Sequence, residues 1–551
     1  MTKSNLKLIG RASALALVAS LATSGAQADD ELLDILGAGG SQPKAQGQKA
    51  DESLMRRALL KSMGKLSAEQ NIFVSFIDQN QFDKALYQWP SAFEGTSFAK
   101  SPTGRALNAF VLFKNGIQVT ALEQLLMIDR PKEVDSYLQQ AWREMAPDNA
   151  PVWAAINPSV WHQGWTDVFG IGAEVRVRGR QVYAATDAEQ VRELIKKTQV
   201  DTRERAWLSW QLVIALAQGE DAGTAGKALA LLMKAPNNPV SEDLMTMTAA
   251  RLLFQNGFLD AAIKYYQRIG KKSDYWFDAQ EEMAWAFIRK GEPQNSIAIT
   301  KTLVAPNFAA EVGPETFFLR SLSQLKVCDY PSVVETLNSF RNRFKPRVAT
   351  LKELTERADT EQVKRTVQKM KSGSVKLTDL GADAHKLPRY TTRDQVLLQN
   401  VMTEKALEKE AQIAGTLYAR SLEGGTGQVG FQARLEDFKK AVEARAQAAR
   451  SATYARIKAL AEEEITEVTG MLQKLHIVEA ELLQQISIAD RVIGATKGTS
   501  SVKSGTTGSQ AKDTVWFPAE SETWFDEYAN YKVDIKKGCA AAGRSGATTK
   551  Q

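Results

Sequence analysis

The stretches "FQNGFLDAAIKYYQRI" (254–269) and "FIRKGEPQNSIAITKTL" (287–303) have few residues in common but one skeleton. Each runs from the apolar end of a helix into a glycine, Gly257 or Gly291. Each then restarts with a small residue, Ala262 or Ser296, followed by apolar residues at helical spacing. The two glycines stand 34 residues apart. Working outward, the same skeleton recurs in "QNQFDKALYQW", where Phe82 precedes Ala85, and in "FKNGIQVTALEQLL", where Gly116 precedes Ala121. It recurs again in "LAQGEDAGTAGKALALL" at Gly219 and in "LKVCDYPSVVETLNSF", where Cys328 takes the turn position. From Gly219 onward the turns follow at 38, 34 and 37 residues.

Two antiparallel helices approach closely where one carries a small residue, and each hairpin buries what its neighbour leaves exposed. Ala250, Ala284 and Ser321 take the small position of the first helix, and Ala262, Ser296 and Val333 that of the second. Tyr266, Ile269, Leu303, Leu337 and Phe340 continue the second helix's packing face, and Pro306 and Pro346 stand near its expected end. With the 34-residue interval, these residues resemble the tetratricopeptide repeat family over residues 55–350, with one gap. The resemblance implies a right-handed helical array whose concave groove binds peptides or partner proteins. It places Arg251, Gln255, Glu281, Trp285, Arg289, Phe318 and Lys326 on that concave side. Trp285 and Arg289, four apart, share a helical face as an aromatic anchor with a charged partner; the competing reading of Trp285 is core. No first helix carries the family's full Trp and Leu-Gly pattern, and Cys328 replaces a turn glycine, so related helical-pair repeats fit as well.

The chain begins with Lys3, Lys7 and Arg11, an apolar run over 12–22, and Ala26-Gln27-Ala28. These are the three parts of a secretory signal peptide cleaved after Ala28, and the run is shorter than the roughly 20 residues a membrane span needs. The protein is therefore expected in the periplasm, exported and soluble, or secreted or held peripherally on an envelope complex. The net charge of +6 falls to +3 once the leader's three basic residues are gone, which is not the footprint of a nucleic-acid binder. The two cysteines, Cys328 and Cys539, form a disulfide or stay apart as thiols.

The expected class is all-α: a helical-repeat solenoid with a Trp-rich insertion, a long helical hairpin and a small C-terminal β segment. Residues 1–28 are the signal peptide, 29–53 a flexible leader, 54–146 N-terminal helical repeats and 187–350 the clearer repeats. Between them, 147–186 hold "APVWAAINPSVWHQGWTDVFG" and the strand-like alternation "AEVRVRGRQVYAA". Trp153, Trp161, Trp165 and His162 suit either a sugar platform or the aromatic filling of an insertion packed on helices. In 351–495 a heptad seam runs through Ile465, Val468, Leu472, Leu475, Leu482, Ile486, Ala489 and Ile493, interrupted by Glu479. Its expected partner is the helix before Gly424, giving a monomer outside its complex; an intermolecular coil is the alternative. Residues 496–512 form a Gly/Ser/Thr/Lys linker and 513–551 an aromatic and acidic segment in which Tyr531-Lys532-Val533 alternate as a strand. Through Phe517-Pro518, Glu522, Trp524, Asp526, Glu527 and Tyr531, this end resembles a terminal segment of envelope repeat proteins in gliding and predatory bacteria. That resemblance implies membership of a multiprotein envelope machine.

Catalytic patterns are not found. His162, His385 and His476 are far apart and give no HExxH, so no metal or cofactor is expected. Ser500 and Lys503 form an SxxK whose companion elements overlap it in one linker instead of meeting across a fold. Adjacent acids such as Glu281 and Glu282 point about 100° apart on a helix and do not converge on one bond. The expectation is a non-catalytic scaffold for other envelope proteins. The alternative is a cell-wall-acting enzyme or peptidoglycan-binding module with a helical-array domain.

Overall fold

The computed structural model describes residues 54–145, 150–170, 173–174, 177, 188–198, 202–219, 221–236, 238, 240–373, 375–423, 429–495 and 530–533. The signal peptide, the leader, the Gly/Ser linker and most of the C-terminal segment, Cys539 included, lie outside them. The described residues are mostly helical and contain no strand. The helices are α1 (Leu54–Met63), α2 (Ala68–Asp78), α3 (Phe82–Phe93), α4 (Ser97–Lys100), α5 (Pro102–Lys114), α6 (Gln118–Leu126), α7 (Ser136–Met145) and α8 (Ala150–Ala155). There follow α9 (Ala188–Lys197), α10 (Arg203–Gln218), α11 (Ala222–Leu232), α12 (Glu242–Gln255), α13 (Leu259–Tyr266), α14 (Trp276–Lys290) and α15 (Pro293–Leu303). The last are α16 (Glu315–Lys326), α17 (Tyr330–Glu356), α18 (Glu361–Ser372), α19 (Gln395–Glu423) and α20 (Val429–Ala495).

One turn geometry joins α2 to α3, α5 to α6, α10 to α11, α12 to α13, α14 to α15 and α16 to α17. The residue before the second helix (Gln81, Ile117, Asp221, Phe258, Glu292 or Asp329) has ψ between 62° and 76°. Its N–H donates to the carbonyl five residues back at 2.8–3.1 Å. This is the six-to-one bond of a Schellman motif, which satisfies the carbonyls a helix end leaves open. The preceding residue adopts positive φ in five of the turns: Asn80 and Cys328 at 59°, Gly116 at 88°, Gly257 at 81° and Gly291 at 86°. Gly219 does not; its φ is −76° and it stands two residues before Asp221, so the glycine-based alignment slips by one there.

Packing follows the same register. Four residues after each of those helix-entry positions come Ala85, Ala121, Ala225, Ala262, Ser296 and Val333, all fully buried. Eight before them come Phe73, Ala109, Val213, Ala250, Ala284 and Ser321, also fully buried. At these twelve positions the side chains are fully enclosed, and most of them are small.

The chain divides into two compact units, neither of them a single stretch: Met1–Met245 with Ala358–Val375 and Tyr390–Ile457, and Thr246–Arg357 with Lys376–Arg389 and Lys458–Gln551. In the first, Phe73, Leu122, Trp142, Trp153, Leu407 and Val442 belong to one apolar core. α19 and the first part of α20 run antiparallel there, with Arg450 bonded to Glu404 and Glu408, and Arg456 to Asp394 at 2.7 Å. Glu410 of α19 supplies the cap that α6 lacks locally: Val119 N–H donates to its Oε1 at 2.5 Å and Thr120 Oγ1 to its Oε2 at 2.7 Å. In the second unit, Met247, Ala262, Trp276 and Met283 form one core, and a further core joins α16 and α17 to the end of α20.

Four expectations need correction. The alternation from Ala173 is helical at Ala173, Glu174 and Val177: Ala173 and Val177, four apart, are buried in the same core as Trp153, and the rest of that stretch lies outside the described residues. Tyr531, Lys532 and Val533 are not a strand; the Tyr531 ring receives Lys301 Nζ at 4.2 Å instead. Pro346 sits inside α17, which continues to Glu356. Finally, the apolar seam does not pair with the helix before Gly424. Val468, Leu475 and Leu482 are buried against Phe317 of α16 and Val333, Leu337, Phe340 and Phe344 of α17, and Glu479 accepts from Arg341 at 2.8 Å. α17, extended through Pro346, is long enough to serve as the seam's partner.

Candidate functional site: a polar cluster on the first helices

The register that buries Ala250, Ala284 and Ser321 turns the intervening polar side chains of α12, α14 and α16 to a second face. There Arg251 forks onto Glu282, with Nε 2.9 Å from both carboxylate oxygens and Nη2 2.6 Å from Oε1; Tyr266 donates to Oε2 at 2.9 Å. A bidentate pair of this kind is strong and geometrically demanding. Burial, then the Glu282 charge, raises the Tyr266 hydroxyl well above its ordinary pKa.

Glu281, the neighbouring acid, points elsewhere. It accepts from Thr316 Oγ1, while Glu315 accepts from Trp285 Nε1 at 2.7 Å. Burial, reinforced by Glu315, pushes the Glu281 carboxyl up to about 8, and burial raises Glu315 as well. Two desolvated carboxyls at close quarters cannot both ionise cheaply, so one keeps its proton at neutral pH.

Arg389 faces this acid pair and binds Glu467 of α20, with Nη2 2.6 Å from Oε2; its own N–H donates to Glu464 at 2.9 Å. A side chain at Gly313 would clash with that guanidinium, since a Cβ there would come within 2.1 Å of Nη1. Arg347 completes the arrangement, bonding Glu464 at 2.7 Å and the His385 and Leu387 carbonyls at 2.7 and 2.6 Å. Lys474 of α20 lies 5.6 Å from the Phe318 ring centroid.

The seven groove residues therefore separate into two groups. Arg251, Glu281, Trp285 and Phe318 are partly buried and engaged within the unit, with the Trp285 and Phe318 rings 5.9 Å apart. Gln255, Arg289 and Lys326 are exposed, each three residues before a helix-entry position, and so form a ridge in register. Arg289 donates to the Phe254 carbonyl at 3.1 Å and stacks on the Phe254 ring at 4.9 Å. Sequence reading placed Tyr266 only on a packing face and missed Glu315, Thr316, Arg389 and Glu467. Arg389 and Glu467 come from segments with no repeat pattern, and Glu282 was weighed only as a catalytic acid.

In the Trp-rich insertion, Trp153, Trp161 and Trp165 are all buried, with Trp165 stacked on Phe169 at 5.5 Å, so these rings are core and not an open sugar platform. Cys328 is disulfide-bonded. Among the described residues no group of three metal-ligating side chains converges, and no helix is long and apolar enough to cross a membrane. No family model matches the chain, and no curated protein matches it either.

Proposed function

We propose that the chain is a non-catalytic, exported scaffold of the tetratricopeptide-like class that binds other cell-envelope proteins. The observation that carries this reading is the six-fold recurrence of one Schellman-turned helix pair with the same twelve buried packing positions, the construction principle of helical-repeat binding proteins. The binding surface is the exposed ridge Gln255, Arg289 and Lys326, because these side chains are exposed while the deeper groove residues are partly buried. A fold of this kind does not name its ligand, and the envelope assignment rests on the signal peptide expected at 1–28 and the C-terminal resemblance.

The disulfide supports export. Cys328 is disulfide-bonded, as an oxidising compartment allows. Peptide mapping without reductant is expected to recover the two cysteines in one crosslinked species.

Purification of the native protein from crosslinked envelopes tests the scaffold reading. The expected result is a reproducible set of exported proteins, lost when Arg289 and Lys326 are both replaced by Glu, with no release of fragments from purified cell wall. Hydrolysis of the wall, or retention on insoluble peptidoglycan without protein partners, would favour an enzyme or wall-binding module instead.

A further inference from the structure

The second unit also holds a cavity of about 370 Å³ that the polar cluster does not use. Phe317 of α16 and Val304, Pro306 and Ala309, on the chain after α15, give it an apolar wall. Against that wall stand two arginines, Arg320 of α16 and Arg343 of α17, with Glu335 and Ser339 of α17 also at the lining.

Neither guanidinium is fully hydrogen-bonded, although Glu335 and Asp329 attract the charge of Arg320. Arg343 reaches the Val304 carbonyl from Nη1 at 3.4 Å and lies 5.4 Å from the Phe317 ring centroid. Its Nε and Nη2, and Nη1 of Arg320, are shielded from solvent and have no hydrogen-bond partner. Burial lowers both guanidiniums below their ordinary range, Arg343 to about 10 with Arg347 adding repulsion. Charged donors held in this way are costly unless an acceptor reaches them.

The lining also selects among anions. Two guanidinium forks match the planar oxygens of a carboxylate. A dianion would meet the Glu335 carboxylate at the same cavity, and the apolar wall calls for a hydrocarbon body. We propose that this cavity binds an organic monocarboxylate, with Arg320 and Arg343 on the carboxylate and Phe317 and Val304 against the apolar part. The carboxylate belongs to a small acid or to the C-terminal end of a polypeptide. The proposal does not depend on the scaffold reading.

Calorimetric titration of the full chain tests it with N-acetyl-leucine as a chain-end probe, 4-phenylbutyrate as a free-acid probe, N-acetyl-leucinamide as the uncharged control and inorganic phosphate as the dianion. One saturable site is expected for at least one of the two acids, with the amide and phosphate weaker by roughly tenfold or more, the scale of a lost charge-assisted pair. The tighter of the two acids identifies the source. Arg343→Gln is expected to lower acid affinity by a similar factor while leaving the melting temperature unchanged or raised, since it removes an unpaired buried charge. Ala309→Phe, which fills the cavity and keeps both arginines, is expected to abolish binding even if the arginine variant misfolds. Equal binding of acid and amide, phosphate binding as tight as the acids, undiminished binding in Ala309→Phe, or no acid binding at about 10 mM, a concentration equivalent to less than 3 kcal/mol, would overturn it.

Discussion

The fold shifts the titration of Glu281 upward. Its carboxyl faces Glu315, Thr316, Arg389 and Glu467, and burial holds its pKa near 8 against an unfolded value of 4.5. A carboxyl whose pKa is raised by folding stabilises the native state as the neutral acid. That contribution is complete below about 4.5 and is lost as pH rises through 8. Glu281→Gln keeps an acceptor for Thr316 and removes the titration. Its melting temperature relative to wild type is therefore expected to climb between pH 5 and pH 9, as read by thermal melts across that range; a constant difference would contradict the assignment. Trp285 belongs to the same cluster. Trp285→Ala removes the donor to Glu315 and the packing on Phe318, and is expected to cost about 2 kcal/mol or more of stability in denaturant titration. At this scale the sequence was half legible. The repeat register located Arg251, Glu281 and Trp285 on one face, but whether that face meets solvent depends on Arg389 and Glu467, which arrive from elsewhere in the chain.

Among the elements, the recurring turn was readable wherever a glycine marked it, at Gly116, Gly257 and Gly291. Asn80 and Cys328 adopt the same positive φ without a glycine, and Gly219 is a glycine one place away from the helix-entry register. Composition thus signals the turn, while the backbone bond from the helix-entry N–H defines it. Gly291 has open space where a Cβ would stand, so Gly291→Ala isolates the conformational penalty and is expected to cost about 1 kcal/mol, with Gly291→Asn costing less. A neutral alanine variant would contradict the left-handed turn. The seam of α20 was equally visible as a pattern, yet heptads state only that an apolar stripe must be covered. Which helix covers it depended on α17 running past Pro346, and helix-ending proline logic argued the other way. Arg341 and Glu479 are both partly exposed, so Glu479→Ala is expected to cost less than about 1 kcal/mol.

For the whole molecule, the division into two discontinuous units was not legible, because a pattern read along the chain gives no sign that 358–375 and 376–389 belong to different units. Val468, Leu475 and Leu482, buried against α16 and α17, are not available to a second copy. Sedimentation over a wide concentration range is accordingly expected to show a monomer, and a dimer that dissociates on deletion of 431–495 would contradict this. Partners are expected to meet the exposed ridge and not the engaged cluster beside it. Site-specific photo-crosslinking in the native host separates the two. A benzophenone side chain at Gln255, Arg289 or Lys326 is predicted to trap a discrete exported protein, while the same group at Trp285 traps none. Adducts from Trp285 in a variant that melts like wild type, or none from all three ridge positions, would contradict the account.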